Sequence, residues 1–218
     1  MTPTIVCFDW GGVLLRICRD FDEGVHAAGL DLRPGAITPA FYDIGATVSR
    51  AYQVGELDSG AFFEQTSAAM NGAYTPAEIE RIHDAWLLGE YDGAEDLMNE
   101  LNTLTGVETA MLSNTNASHW ARRLTEFPAC GHAKHQHASH VMGLLKPDPA
   151  IYTRFASEVG CSPDAIIYFD DLAENIDAAQ SAGWRAIHVD HTGDTASAIR
   201  TELLDQGLPL KNLGTPDA

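Results

Sequence analysis

A short apolar run near the start of the chain, Ile5-Val6-Cys7-Phe8, stops at a charged residue, Asp9, followed by Trp10 and the paired glycines Gly11 and Gly12. The run reads as a buried strand, and the glycines let the backbone turn sharply beyond it. If that arrangement of strand, turn and helix repeats, the chain winds into an open parallel sheet, and such sheets bind ligands outside the carboxyl ends of their strands. A carboxylate at that place is positioned as a nucleophile or a metal ligand. The alternative is an aspartate that simply opens a turn.

The arrangement does repeat. Strand-like apolar runs recur at 108–112, weakly at 139–141, at 165–169 and at 185–189. Helical patterns lie between them at 94–104, 117–125, 150–159 and 174–182. Pro149 suits a first helical turn, and Gly160 and Gly183 suit the positions just past two helix ends. The expected fold is therefore α/β: a doubly wound parallel sheet, Rossmann-like in its βαβ units. From about Cys18 to Trp86 the rhythm breaks, with no convincing strand and helical patterns at 45–53, 59–70 and 76–88. Asp58-Ser59 and Thr75-Pro76 mark helix starts, and Glu78 is spaced to cap the latter. The expected organisation is a core of residues 1–17 and 89–218 with a helical cap, 18–88, inserted after the first strand, where it would exclude water and select substrate. The tail after about Leu208 has little pattern.

A chain of 218 residues can bury one sizeable core and a small accessory unit. Its 31 acidic against 13 basic side chains, a net charge of -18, would repel a phosphate backbone, so no nucleic acid partner is expected. A local cationic site with a divalent ion could still hold a small phosphate. No apolar stretch is long enough to cross a bilayer, so no membrane association is expected. Cys7, Cys18, Cys130 and Cys161 show no paired spacing, and no secretory leader is apparent; the expectation is reduced thiols in a cytoplasmic protein. Nothing in the pattern requires a second copy of the chain.

Four polar clusters fall at or just beyond strand ends: Asp9, Ser113 with Asn114, Lys146, and Asp170 with Asp171. Together they supply a carboxylate nucleophile, hydroxyl and amide donors, a fixed cation and a pair of acidic metal ligands. That set suits phosphoryl transfer, which is mostly positioning and charge neutralisation.

Read together, these segments resemble the four motifs of the haloacid dehalogenase (HAD) superfamily, in order. Asp9 lies in the first, Leu112-Ser113-Asn114-Thr115-Asn116 matches the second, Gly143-Leu144-Leu145-Lys146-Pro147-Asp148 the third, and Phe169-Asp170-Asp171 with Glu174-Asn175-Ile176 the fourth. The resemblance covers roughly residues 5 to 190, the insertion sits where the family places its C1 cap, and the motif wording is similar to small-cap phosphatases such as glucose-1-phosphatase-like members and the N-terminal domain of soluble epoxide hydrolase. The resemblance implies a phosphatase of a small phosphorylated metabolite. Asp9 would form an aspartyl-phosphate. Mg²⁺ would sit among Asp9, the Gly11 carbonyl, Asp170 and Asp171, with Asp171 a direct ligand. Ser113 and amides near Asn114 would hold phosphate oxygens, Lys146 would offset charge, and Trp10 would either stack on substrate or pack under the cap.

One position departs from the family. HAD phosphatases usually carry a second aspartate two residues after the nucleophile, as general acid and base; this chain has Gly11. The loss of that group is worth roughly 10²–10⁴-fold in rate. An acidic leaving group, such as an anomeric hydroxyl or an acyl group, would need less help, which points to sugar 1-phosphates or similarly activated esters. Asp20, Asp22 and His26 are the alternative proton donors.

Other features invite blander readings. His132, His135, His137 and His140 match no compact metal-ligand spacing. Phe62, Phe63 and Trp86 read as cap core, and Arg16 and Arg19 as either anion contacts or surface. A dehalogenase would use Asp9 on carbon without metal, and the Asp170-Asp171 pair argues against it, because adjacent carboxylates in a nucleophile's pocket are costly without a cation. A non-catalytic phosphate-binding protein finds support only in Gly11.

Overall fold

The computed structural model describes residues 4–211. Its centre is a five-stranded sheet of β1 (Thr4–Phe8), β4 (Val107–Ser113), β5 (His135–Ala138), β6 (Ile166–Asp170) and β7 (Arg185–His188). The strands lie in the order β5-β4-β1-β6-β7, with every neighbouring pair parallel.

Apolar side chains alternate between the two faces of the sheet, as period-two geometry requires. Val6 and Phe8 join Met111, Ile167 and Phe169 on one face, packed on Leu97, Met98 and Leu101 of α5 (Ala94–Thr103) and on Ile199 and Leu203 of α11 (Thr195–Asp205). Ile5 and Cys7 join Ala110, Leu112 and Tyr168 on the other, packed on Ile151, Tyr152 and Phe155 of α9 (Pro149–Val159) and on Ile176 and Ala179 of α10 (Ala173–Ser181). A strand covered on both sides has no solvent face, which is why β1 and β6 read as unbroken apolar runs. Burying each such Ile or Phe contributes about 1.5–3 kcal/mol.

The helical segment hangs from a two-stranded antiparallel ribbon of β2 (Leu15–Ile17) and β3 (Leu87–Glu90). Just beyond it the Cys18 amide donates to the Trp86 carbonyl at 3.0 Å, so the chain leaves and rejoins the ribbon at adjacent points. Between them lie α1 (Phe21–Ala27), α2 (Pro39–Gln53), α3 (Ser59–Ala69) and α4 (Pro76–Asp84). These helices share their own apolar cluster, centred on Val25, Phe63, Met70, Tyr74, Ile79 and Ile82. Each is capped by a side chain: Asp20, Thr38, Asp58 and Thr75 accept from backbone amides of their first turns, and Thr75 with Glu78 completes a capping box.

Three sequence expectations need correction. The weak strand at 139–141 lies earlier, at β5, and Ser139–Met142 is a short helix, α8. β5 is an edge strand only half buried, so His135, Gln136 and His137 gave it a polar reading. The helix expected at 76–88 stops at Asp84, because Leu87–Glu90 pairs with β2. The helix expected from Gly45 begins at Pro39, where proline suits the first turn and Thr38 caps it. Two further helices, α6 (Ala117–Glu126) and the short α7 (Pro128–Gly131), and a 3₁₀ turn at Pro163–Ala165 complete the elements of the described residues. No helix among them is long and apolar enough to cross a membrane.

Candidate active site

Because β4, β1 and β6 are neighbours, their carboxyl ends bring Ser113, Asp9 and Asp170 side by side. The Asp9 amide still follows the ladder, donating to the Phe169 carbonyl at 2.8 Å. Beyond it the carboxylate is free to face the strand ends. Asp9 is 8% exposed, and its Oδ1 accepts from the Trp10 amide at 2.7 Å and from Lys146 Nζ at 2.9 Å.

Lys146 is the hub. Its fully buried ammonium also donates to Asp170 Oδ2 at 2.7 Å and to the Tyr168 hydroxyl at 2.8 Å. Tyr168 in turn donates to Asp170 Oδ2. Asp170 Oδ1 accepts from the Leu172 amide at 2.8 Å and from Asn175 Nδ2 at 3.0 Å. The lysine loop is held by Asn114, whose Nδ2 donates to the Lys146 carbonyl at 2.8 Å and whose Oδ1 accepts from the Lys146 amide at 2.9 Å.

Asp171 has a different set of partners. Its Oδ2 meets Arg19 Nη1 at 2.7 Å, and its carbonyl accepts from His188 Nε2 at 3.0 Å. Gly12 makes room for it: at φ +82° the backbone favours glycine, and a Cβ there would stand 2.3 Å from Asp171 Oδ2. The space a side chain at Gly11 would enter is held by Ile17, whose Cδ1 lies 2.9 Å from the position of such a Cβ.

Burial raises Asp9; Lys146 opposes that, while the charges of Asp170 and Asp171 add to it, and the carboxyl ends above its ordinary range. Burial would raise Asp170 too, but there the Lys146 ammonium wins and holds it low. Burial would lower Lys146, and Asp170 and Asp9 outweigh it and hold the ammonium charged. Asp9, Asp170 and Asp171 each offer an oxygen within 4.8 Å of the others, and they are the metal-competent cluster among the described residues. A buried donor set made of carboxylate oxygens fits a hard divalent cation such as Mg²⁺. Since Asp170 is already occupied by Lys146, Tyr168, Leu172 and Asn175, Asp9 and Asp171 are the carboxylates with oxygen lone pairs to spare.

A cavity of about 770 Å³ lies between these strand ends and the helical segment, reaching Gly11 and Ser113 on one side and Tyr52, Phe62 and His83 on the other. The structure sorts the expected residues around it. Trp10 lines the cavity but is only 2% exposed, its indole packed edge-on against Trp120 and Phe127 at 5.8 and 5.7 Å in the core beneath it. Phe62 and Trp86 both line the cavity and pack on the helical core, whereas Phe63 is core. Asp20 and Asp22 line the cavity; His26 is exposed outside its wall. Arg16 donates to the Glu90 carbonyl at 3.1 Å. His132, His135 and His137 pair with Glu95, Glu108 and Glu158 and do not converge on a common point. Sequence reasoning gave no role to Tyr168, Asn175, His83 or His119. Tyr168 was findable, since two residues before Asp170 on a strand it shares that residue's face.

The family model described as haloacid dehalogenase-like hydrolase matches residues 3–183. Phosphatase MT3486 of Mycobacterium tuberculosis is 35% identical over 77 residues, 35% of this chain and 36% of that protein, so the chain spans about a third of this curated relative's length. Among solved structures, a HAD family enzyme of Bacteroides thetaiotaomicron in complex with magnesium and inorganic phosphate superposes with a TM-score of 0.72 at 20% identity, covering 91% of this chain and 100% of that one. A HAD-like hydrolase of Porphyromonas gingivalis gives 0.73 at 19%, covering 93% and 98%. L-2-haloacid dehalogenase of Xanthobacter autotrophicus, with chloropropionic acid covalently bound, gives 0.62 at 17%, covering 93% and 83%. The structural likenesses show a common fold, and the family match over most of the sequence shows that this chain belongs to the haloacid dehalogenase-like hydrolases.

Proposed function

We propose that the protein is a Mg²⁺-dependent phosphomonoesterase of small phosphorylated metabolites, acting in the cytoplasm through an aspartyl-phosphate on Asp9. The observation that supports this most is the convergence of Asp9, Asp170 and Asp171, at the ends of adjacent strands, on Lys146 in the loop before α9. An Asp9 oxygen attacks phosphorus, the bond to the leaving oxygen breaks, and that oxygen departs with the electron pair. Water then attacks the acyl-phosphate, releasing inorganic phosphate and regenerating the Asp9 carboxylate. Lys146, locked by Asp170, stays charged beside the nucleophile through both steps. Ser113 and the amides of the following loop hold phosphate oxygens. Asp9, Asp171, the Gly11 carbonyl and, directly or through water, Asp170 would hold Mg²⁺, which would supply charge neutralisation. The helical segment 18–88 acts as a cap that shapes the cavity over this site.

Gly11 offers no proton to the leaving group, so turnover favours esters whose alcohols are already acidic, sugar 1-phosphates among them. The Xanthobacter enzyme, with its substrate bound covalently, raises the alternative of attack on carbon. The crowding of Asp170 and Asp171 beside Asp9 supports phosphoryl transfer over that chemistry.

The test is phosphate release from an ester panel, with Mg²⁺ or EDTA, for wild type and Asp9→Asn, with halide release from 2-haloacids measured in the same preparation. Metal-dependent phosphate release lost in the variant is the expected result. Halide release without metal, or no release at all, would overturn it.

A further inference from the structure

Resting on the phosphatase reading, we propose that the preferred substrate is an aryl phosphate, whose planar leaving group lies in an aromatic box in the helical segment with a polar ring substituent hydrogen-bonded to His83.

The cavity wall opposite the strand ends is aromatic. The Tyr52 and Phe62 rings stack at 4.3 Å, and Phe41 and Trp86 line the same space. The charged side chains on the wall, Arg19, Asp20 and Asp22, all belong to one short stretch of chain, and Arg19 is committed to Asp171. Several of the polar ones are already paired: Tyr52 with Ser59 at 2.8 Å, and Gln53 with Ser49 at 3.4 Å. A sugar would bring a hydroxyl on nearly every carbon, and each one buried without a partner carries a desolvation cost. A flat ring would instead meet surfaces that match it.

His83 is the exception in this wall. Its side chain is 9% exposed and lines the cavity; both ring nitrogens are buried, neither has a hydrogen-bond partner among the described residues, and Asp84 Oδ1 stands 3.8 Å from Nδ1. It is held in place by stacking on His119 at 3.7 Å and by contacts with Phe62 at 5.7 Å and Phe63 at 5.4 Å. Burial, then the neighbouring His119, pushes it down to about 2, so the ring is neutral. A neutral imidazole presents one donor and one acceptor, the complement of a hydroxyl. Buried polar groups are ordinarily paired, and a phenolic or amide substituent on the ring would pair this one.

Gly11 leads to the same class independently. A phenol ionises near 10, several units below an aliphatic alcohol. When Asp9 bonds to phosphorus and the phosphorus–oxygen bond breaks, the phenolate leaves with the electron pair and collects its proton from solvent. The acid missing at Gly11 is then not needed.

The experiment is steady-state kinetics of the Mg²⁺-loaded full chain on phenyl phosphate, para-hydroxyphenyl phosphate, butyl phosphate, glucose 1-phosphate and acetyl phosphate, with wild type, His83→Phe and His83→Gln. Because aryl esters are intrinsically more reactive, KM carries the result. We expect para-hydroxyphenyl phosphate to show a KM roughly tenfold below that for phenyl phosphate, and phenyl phosphate to show a lower KM than the butyl and glucose esters. His83→Phe, which keeps a ring of similar shape, erases the hydroxyl advantage, and His83→Gln restores part of it. Lower KM for glucose 1-phosphate or butyl phosphate, or a hydroxyl advantage that survives in His83→Phe, overturns the proposal. Acetyl phosphate needs neither the box nor a proton donor. Its hydrolysis without aryl preference rejects the aryl box and leaves the phosphatase standing; no phosphate from any compound rejects both.

Discussion

Asn114 holds Lys146 by both polar groups of its backbone, accepting from its amide at 2.9 Å and donating to its carbonyl at 2.8 Å. The residue that follows the hydroxyl of the second motif therefore fixes where the buried ammonium stands. In Asn114→Ala two backbone groups lose their partner, and the lysine loop is free to shift. We expect a stability loss of about 1–3 kcal/mol and a kcat for aryl phosphate at least tenfold lower at little changed KM. Denaturant unfolding and steady-state kinetics check the two parts. Unaltered kcat would mean that Asp9 and Asp170 alone position the ammonium.

Restoring an acid at Gly11 needs space that Ile17 now fills. The double variant Gly11→Asp/Ile17→Ala is predicted to raise kcat on alkyl phosphates by roughly 10²-fold or more, within the usual worth of a general acid. Aryl phosphates, which leave unaided, gain far less. A uniform gain or a uniform loss across both ester types would show that leaving-group protonation is not what Gly11 removes.

Magnesium is expected to stabilise the folded chain. Saturation at a hundredfold above Kd contributes about 2.7 kcal/mol, or several degrees in Tm for a protein of this size. Asp171→Asn should abolish the shift. Arg19→Ala should tighten Mg²⁺ binding, because the guanidinium at 2.7 Å competes for the same carboxylate oxygen. Thermal melts across a Mg²⁺ titration read all three proteins, and an unchanged shift in Asp171→Asn would remove that residue from the ligand set.

Acid should weaken the fold through the stacked histidines. Burial, then the charges of His119 and Arg122, puts His83 at about 2; burial, with a smaller effect of Arg122, puts His119 at about 4. In the unfolded chain both titrate near 6.5. Below that value the unfolded state binds more protons than the folded one, so the stability from these two groups is intact above pH 6.5 and falls as the pH drops toward 4. His83→Phe should flatten the dependence of unfolding free energy on pH between 6.5 and 4.5 relative to wild type. Parallel curves would contradict it.

The sheet was legible because β1, β4 and β6 are buried on both faces and so announce themselves as apolar runs, each followed by a polar residue that the core could not hold. Asp9, Ser113, Asp170 and Asp171 follow from that punctuation, whereas Lys146, in the loop after α8, was legible only from its Lys-Pro-Asp motif. β5 was misplaced because an edge strand of His135, Gln136 and His137 has a wet side and no such signature. Trp10 was ambiguous for a different reason: its neighbours Trp120 and Phe127 are more than a hundred residues away in the chain, and no local pattern reports a contact of that range. His83 was invisible on the same ground. Its significance lies in what it lacks, two hydrogen bonds, and an absence of partners can be read only after the chain has folded.

The bond between the Cys18 amide and the Trp86 carbonyl ties off the helical segment at its base. Because its ends are already pinned side by side, the length of what lies between them has little entropic consequence for the sheet. Its cluster around Tyr74 and Ile79 is also separate from those of the sheet. On the proposed reading the molecule is built like a tool with an exchangeable head: shortening, lengthening or transplanting the four helices from a relative should change what is recognised, while the strand ends beneath keep their register.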